Sequence, residues 1–259
     1  MDTAHSMRRA LRPVAIIAAA ALAAACAGGS QRDPEADAAK LADINLKLGL
    51  GYLEEGDMNR AVDRLRRSIN VQPTSDAHLA LAVAYDRLGQ DDAADIQFRE
   101  ALRLQPDLAA AHTNYGSFLC KGGRVEEAEQ QFRQAVSIPG YPGADVAYTN
   151  AALCVMRHGA PERADGYFSK ALEVNPQFSP ALLGMAERAF DGKDFAAARG
   201  YLERYLNVAP PSPSSLWLGV RIEDALGNRR GVATYAEQLT QRFPSSPEAR
   251  QVQSRARRP

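Results

Sequence analysis

The sequence is poor in the residues that build metal and redox centres. Four histidines and three cysteines are scattered through 259 residues. No two histidines have ligand spacing and no Cys-x-x-Cys occurs, so no metal site is expected. Serine and histidine never meet in a Gly-x-Ser-x-Gly motif, and no glycine-rich phosphate loop precedes a helix. Neither a catalytic constellation nor a cofactor is therefore expected, and the chain reads as non-enzymatic. An excess of one charge is also missing: 31 Lys and Arg balance 31 Asp and Glu, which argues against nucleic acid as the main partner. β-Branched residues are sparse, and the space is filled by Ala, Leu, Arg and Glu, which favour helices. The acidic pairs Glu54-Glu55, Asp91-Asp92 and Glu126-Glu127 fall at loop and helix-start positions, where carboxylates offset the helix dipole.

Long hydrophobic runs are lacking as well. The uncharged stretch Val14 to Ala25 falls short of the roughly 20 residues needed to span a bilayer. Behind Arg8, Arg9 and Arg12 it has the layout of a signal peptide over residues 1–25, with translation starting at Met1 or Met7. Ala23-Ala24-Ala25-Cys26 resembles the bacterial lipobox. The resemblance implies that Cys26 is acylated and becomes the first mature residue. It also implies the outer membrane, since Ala27 stands where Asp would mark inner-membrane retention. Residues 26–41 are expected to be a lipidated flexible tether. Loss of the signal removes three arginines and one aspartate and leaves the mature chain near neutral.

Internal repetition dominates the rest. Written one above the other, GYLEEGDMNRAVDRLRRSINVQP and AYDRLGQDDAADIQFREALRLQP align Tyr52 with Tyr85, Gly56 with Gly89, Ala61 with Ala94, Leu65 with Phe98 and Pro73 with Pro106. The series continues through Gly123, Ala128 and Phe132, then Gly159, Ala164, Phe168 and Pro176, with looser copies around Ala198 and Val232. The period is 33 or 34 residues, stretched to 36 between the third and fourth units by the IPGYPG insertion at 138–143. This is the tetratricopeptide (TPR) pattern of paired helices. It predicts an all-α superhelical solenoid of six helix-turn-helix repeats over residues 42–247, followed by a disordered basic tail at 248–259. In each unit a small Ala lets two helices close, an aromatic or Leu four residues later fills the space between hairpins, Gly ends the first helix and Pro stops the second.

The register separates packing from exposure. His78 and His112 occupy a core position, and His158 is placed to meet the last carbonyls of its own helix beside Gly159. Along the inner face built from the first helices, Leu46, Leu50, Leu53, Leu79 and Val83, then Leu153, Met156, Leu183, Phe190 and Trp217, form an apolar strip. Such a strip suits a protein partner, although inter-repeat packing explains each residue equally well. The Lys and Asn clamp that some TPR domains use for chain ends is absent at the matching positions. An apolar or amphipathic segment is thus favoured over a free C-terminus. Cys120 and Cys154 lie near the ends of neighbouring first helices, where axes about 8–10 Å apart allow a disulfide; two buried free thiols are the alternative.

NYGSFLCKGGRVEEAEQQF (114–132), the SIPGYP insertion, NAALC (150–154) and YLERYLNVAPPSPSSLWLGVRIEDALGN (201–228) resemble the type IV pilus biogenesis lipoproteins of the PilF/PilW family. The likeness spans the signal, Cys26, the repeats and the cysteine pair. It implies a pilotin: a monomer, lipid-anchored in the outer membrane and facing the periplasm, that helps pilus secretin subunits localise and assemble, supporting pilus stability and twitching motility. A TPR adaptor for another envelope or peptidoglycan complex would carry the same anchor and groove.

Overall fold

Where two helices of a repeat press together, the side chain between them must be small, and the computed structural model, which describes residues 33–256, places an alanine at this point in five repeats and Val232 in the sixth. Ala61, Ala94, Ala128, Ala164 and Ala198 are all fully buried. One turn later Leu65, Phe98, Phe132, Phe168 and Leu202 reach back into the core, each no more than 2% exposed. Burying a side chain of this size stabilises the fold by about 1.5–3 kcal/mol. The backbones come close enough to exclude a methyl group: a Cβ on Gly116 would lie 2.8 Å from the Phe132 ring, and one on Gly184 would lie 2.3 Å from Phe168.

Six hairpins result: α1 (Pro34–Glu55) with α2 (Met58–Val71), α3 (Ser75–Arg87) with α4 (Asp91–Leu104), α5 (Ala109–Lys121) with α6 (Val125–Ser137), α7 (Ala144–Arg157) with α8 (Ala164–Val174), α9 (Ser179–Asp191) with α10 (Phe195–Val208), and α11 (Pro213–Ala225) with α12 (Arg229–Arg242). A short 3-10 turn, Pro161–Arg163, precedes α8, and α13 (Pro247–Ala256) closes the array. Each hairpin touches only its neighbours. The first helices α1, α3, α5, α7, α9 and α11 lie side by side in order along one face, the arrangement of a solenoid whose stability is a sum over adjacent interfaces.

The ends of the helices follow their local chemistry. Asp57, Thr74, Asp194, Ser212 and Asn228 each accept a hydrogen bond from the backbone N–H three residues on. Gly56, Gly89, Gly123, Gly159 and Gly227 adopt positive φ where first helices stop, and Lys193 takes that role after α9. The buried histidines serve packing: His78 Nδ1 pairs with Gln97 and His112 Nδ1 with Gln131, both at 2.7 Å across their hairpins. Thr113 meets the Tyr141 hydroxyl at 3.0 Å, which fixes the inserted loop against α5.

Four expectations are corrected. Residues 34–41 are helix rather than tether, because Asp33 caps the Glu35 N–H, Pro34 opens the first turn, and Glu35 and Asp37 complement the dipole. The tail is helical to Ala256, because Ala249 is fully buried against Leu216 and Leu239 and Ser246 accepts from the Ala249 N–H. Glu54 and Glu55 sit in the last turn of α1 rather than at a helix start. His158 does not cap its own helix: Nε2 lies 2.9 Å from the Cys120 carbonyl oxygen, at the end of α5 in the preceding repeat.

Candidate functional site

Apolar side chains remain open on the first-helix face, although Ile96, Val174 and Val208 of second helices are open as well. Leu50 of α1 is 41% exposed and Leu153 of α7 is 42% exposed. Leu46, Leu79, Val83, Met156, Leu183, Phe190 and Trp217 are half-buried, each leaning on the core below while keeping part of its surface in solvent. Leu53 departs from the set. It is 7% exposed and packs with Ala61 and Leu65, because three residues beyond Leu50 the helix has turned it toward α2. The strip is therefore interrupted, with its most open points on α1 and α7.

Cys120 and Cys154 are bridged in the structure, with Cα atoms 5.7 Å apart and a sequence separation of 34. The bridge ties α5 to α7, the adjacent first helices of repeats three and four. Both sulfurs are buried, and Leu153, Ser117, Asn150 and Arg157 surround the concavity of about 320 Å³ above them. The Asn150 amide donates to Ser117 Oγ at 3.2 Å, a second link between the same two helices.

A further cavity of about 220 Å³ opens where α7, α9, α11 and α13 meet. Met156, Phe190, Trp217 and Leu218 supply its apolar walls, and Glu187, Asp191, Arg221 and Glu248 its charges. Burial, reinforced by the Asp191 carboxylate, pushes the Glu187 carboxyl above the usual carboxylate range, and Arg221 only partly offsets this. The Arg221 guanidinium lies 4.1 Å from the Phe190 ring centroid.

Sequence reasoning missed the charged members of this cavity. The signal was available, since Glu187 and Asp191 stand one turn apart and flank Phe190 in a first helix. It also missed a second apolar surface. Leu41, Ile44 and Leu48, on the outer side of α1, are 50%, 44% and 42% exposed, because no hairpin among the described residues precedes them. Their spacing of three and four residues is visible in the sequence, but the tether assignment hid Leu41. Cys26, the expected acylation site, lies outside the described residues.

Carboxylates elsewhere are structural. Glu129 is 2% exposed and accepts from Arg163 and, at 2.7 Å, from the Tyr167 hydroxyl. Glu223 is 4% exposed and is held by Arg199 at 2.6–2.7 Å and by Asn228 at 2.6 Å. Both are ion-pair networks that join successive hairpins.

Comparison with known proteins places this architecture. Profiles described as tetratricopeptide repeat match residues 75–108, 96–145 and 150–215. The type IV pilus assembly protein PilF of Pseudomonas aeruginosa is 32% identical over 213 residues, 82% of this chain and 84% of that protein. The solved structure of Pseudomonas aeruginosa PilF is similar with a TM-score of 0.75 at 30% identity, over 85% of this chain and 99% of that one. That of PilW, described as a widely conserved type IV pilus biogenesis factor, is similar with a TM-score of 0.73 at 31% identity, over 82% and 97%. With relatives this similar along nearly their whole length, in sequence and in fold, the chain belongs to the PilF/PilW family of tetratricopeptide proteins.

Proposed function

We propose that this protein is an outer-membrane lipoprotein of type IV pilus biogenesis, a scaffold rather than an enzyme, which captures apolar segments of secretin subunits along its first-helix face. Membership of a family that includes a type IV pilus assembly protein supports the process. The observation that carries the mechanism is the open apolar surface at Leu50 and Leu153, which stands on the first-helix face and is continued by the half-buried Leu46, Leu79, Val83, Met156 and Trp217. The lipobox-like residues before Cys26 support the anchor. Acyl chains buried at about 0.8 kcal/mol per methylene hold a mature protein firmly at the bilayer.

Confinement supplies the driving force. A solenoid tethered to one membrane raises the local concentration of each subunit it holds, and assembly of the multimer becomes favourable there without any new contact between subunits. The Cys26→Ala variant tests this directly. It should fold and accumulate in the periplasm as a soluble protein while secretin multimers at the outer membrane fall sharply, read on gels that preserve the multimer. Undiminished multimers in that variant would exclude the anchoring role.

A further inference from the structure

The cavity at the C-terminal end of the first-helix face has a composition that the apolar strip does not need. Its two aromatic walls, Phe190 and Trp217, stand among three carboxylates, Glu187, Asp191 and Glu248. Among the described residues none of these carboxylates has a hydrogen bond or ion pair, and the single lining cation, Arg221, is already laid over Phe190. Of the buried carboxylates elsewhere, Glu129 and Glu223 each have an arginine partner and Asp145 accepts from the Asn175 amide. Here the negative charge is left in excess over the positive, in a concave site where low dielectric strengthens its field.

The geometry also narrows the ligand. Among the described residues these carboxylates form no cluster tight enough to hold a metal ion. They surround a cavity instead, which suits an ammonium or guanidinium group whose several donors spread outward. The apolar and aromatic lining suits the alkyl stem of such a side chain. Met156 lies one turn after Leu153 on α7, so the cavity continues the apolar strip rather than standing apart from it.

We propose that this cavity is a subsite for one lysine or arginine side chain of the polypeptide that occupies the groove, its stem against Trp217 and Phe190 and its charged head held by Glu187, Asp191 and Glu248. The proposal rests on the groove reading above and adds to it a chemical requirement: a basic residue placed beyond the apolar segment. Burial and the neighbouring Asp191 carboxylate raise the affinity of Glu187 for a proton, and Arg221 offsets this only in part.

Trp217 is the one tryptophan in the sequence, so its fluorescence reports this cavity alone. The test uses two capped amphipathic peptides with leucines at helical spacing, identical except that one carries a lysine where its twin carries norleucine. Both are titrated into the mature chain, followed by Trp217 emission and by calorimetry. The lysine peptide is expected to shift the emission saturably and to bind about tenfold more tightly than its twin, a preference that weakens with salt. In the Glu187→Gln, Glu248→Gln double variant the preference should drop to about threefold or less, with thermal melting confirming that the variant is folded. Equal binding of the twins to the wild type would overturn the subsite while leaving the groove intact, as would a preference untouched in the variant. Failure of both peptides to bind would overturn the subsite and the apolar groove together.

Discussion

At the turn after α9 a lysine does the work that glycine does after the other first helices. Lys193 has φ 62° and is the one non-glycine with positive φ among the described residues. Its N–H reaches the Phe190 carbonyl and the Asp194 N–H reaches Ala189, so the turn closes as the others do. A side chain in this conformation costs roughly 1–2 kcal/mol, and glycine recovers part of that while gaining freedom in the unfolded chain. Lys193→Gly should therefore raise stability by about 0.5–1 kcal/mol, seen as a higher urea midpoint with an unchanged slope; an unchanged or lower midpoint would show that Lys193 makes a compensating contact. The residue scale also shows how two of the histidines are used in packing. His78 and His112 stand 34 residues apart and repeat the same hydrogen bond to a glutamine 19 residues on, which is a packing device copied with the repeat.

At the scale of elements, the bridge between α5 and α7 fastens the third hairpin to the fourth near the C-terminal ends of those helices, while the inserted 138–143 loop packs on Thr113 near the start of α5. A closed loop of 34 residues is worth about 3–4 kcal/mol in the chain-entropy model. The Cys120→Ser, Cys154→Ser variant should lose that much in urea unfolding, and reductant should destabilise the wild type but leave the variant unchanged. Equal midpoints for the wild type with and without reductant would show that the bridge adds nothing. The hairpins themselves were legible in the sequence, because a buried alanine and the large residue one turn later recur with the repeat. The ends were not. The repeat frame begins where similarity begins, so it left out residues 34–41, whose helix is set by local capping at Asp33 and Pro34 rather than by periodicity. It also left out α13, which folds only because Leu216 and Leu239 offer Ala249 a place. Among the groove residues, Leu50 and Leu153 could be read from spacing alone. Leu53 could not, since three residues on a helix separate an open side chain from a sealed one. Glu187 and Asp191, one turn apart on α9, were visible in the sequence, but Arg221 of α11 and Glu248 of α13 join them only in the tertiary fold.

For the whole molecule, six hairpins stacked on neighbours among the described residues make a long surface, since each interface contributes on its own, and the open positions Leu50 and Leu153 can be changed with little effect on the core. That separation makes the groove testable. Leu50 and Leu153 are about two-fifths exposed, so glutamate at either position changes stability little while placing a charge that a docked apolar segment would have to desolvate. The central claim, that this face holds another polypeptide, is tested most directly by immobilising the mature chain and its Leu50→Glu, Leu153→Glu variant and measuring capture of purified secretin subunits. The account predicts that the variant melts within a few degrees of the wild type and binds at least about tenfold more weakly. Capture equal to the wild type by a properly folded variant would contradict it.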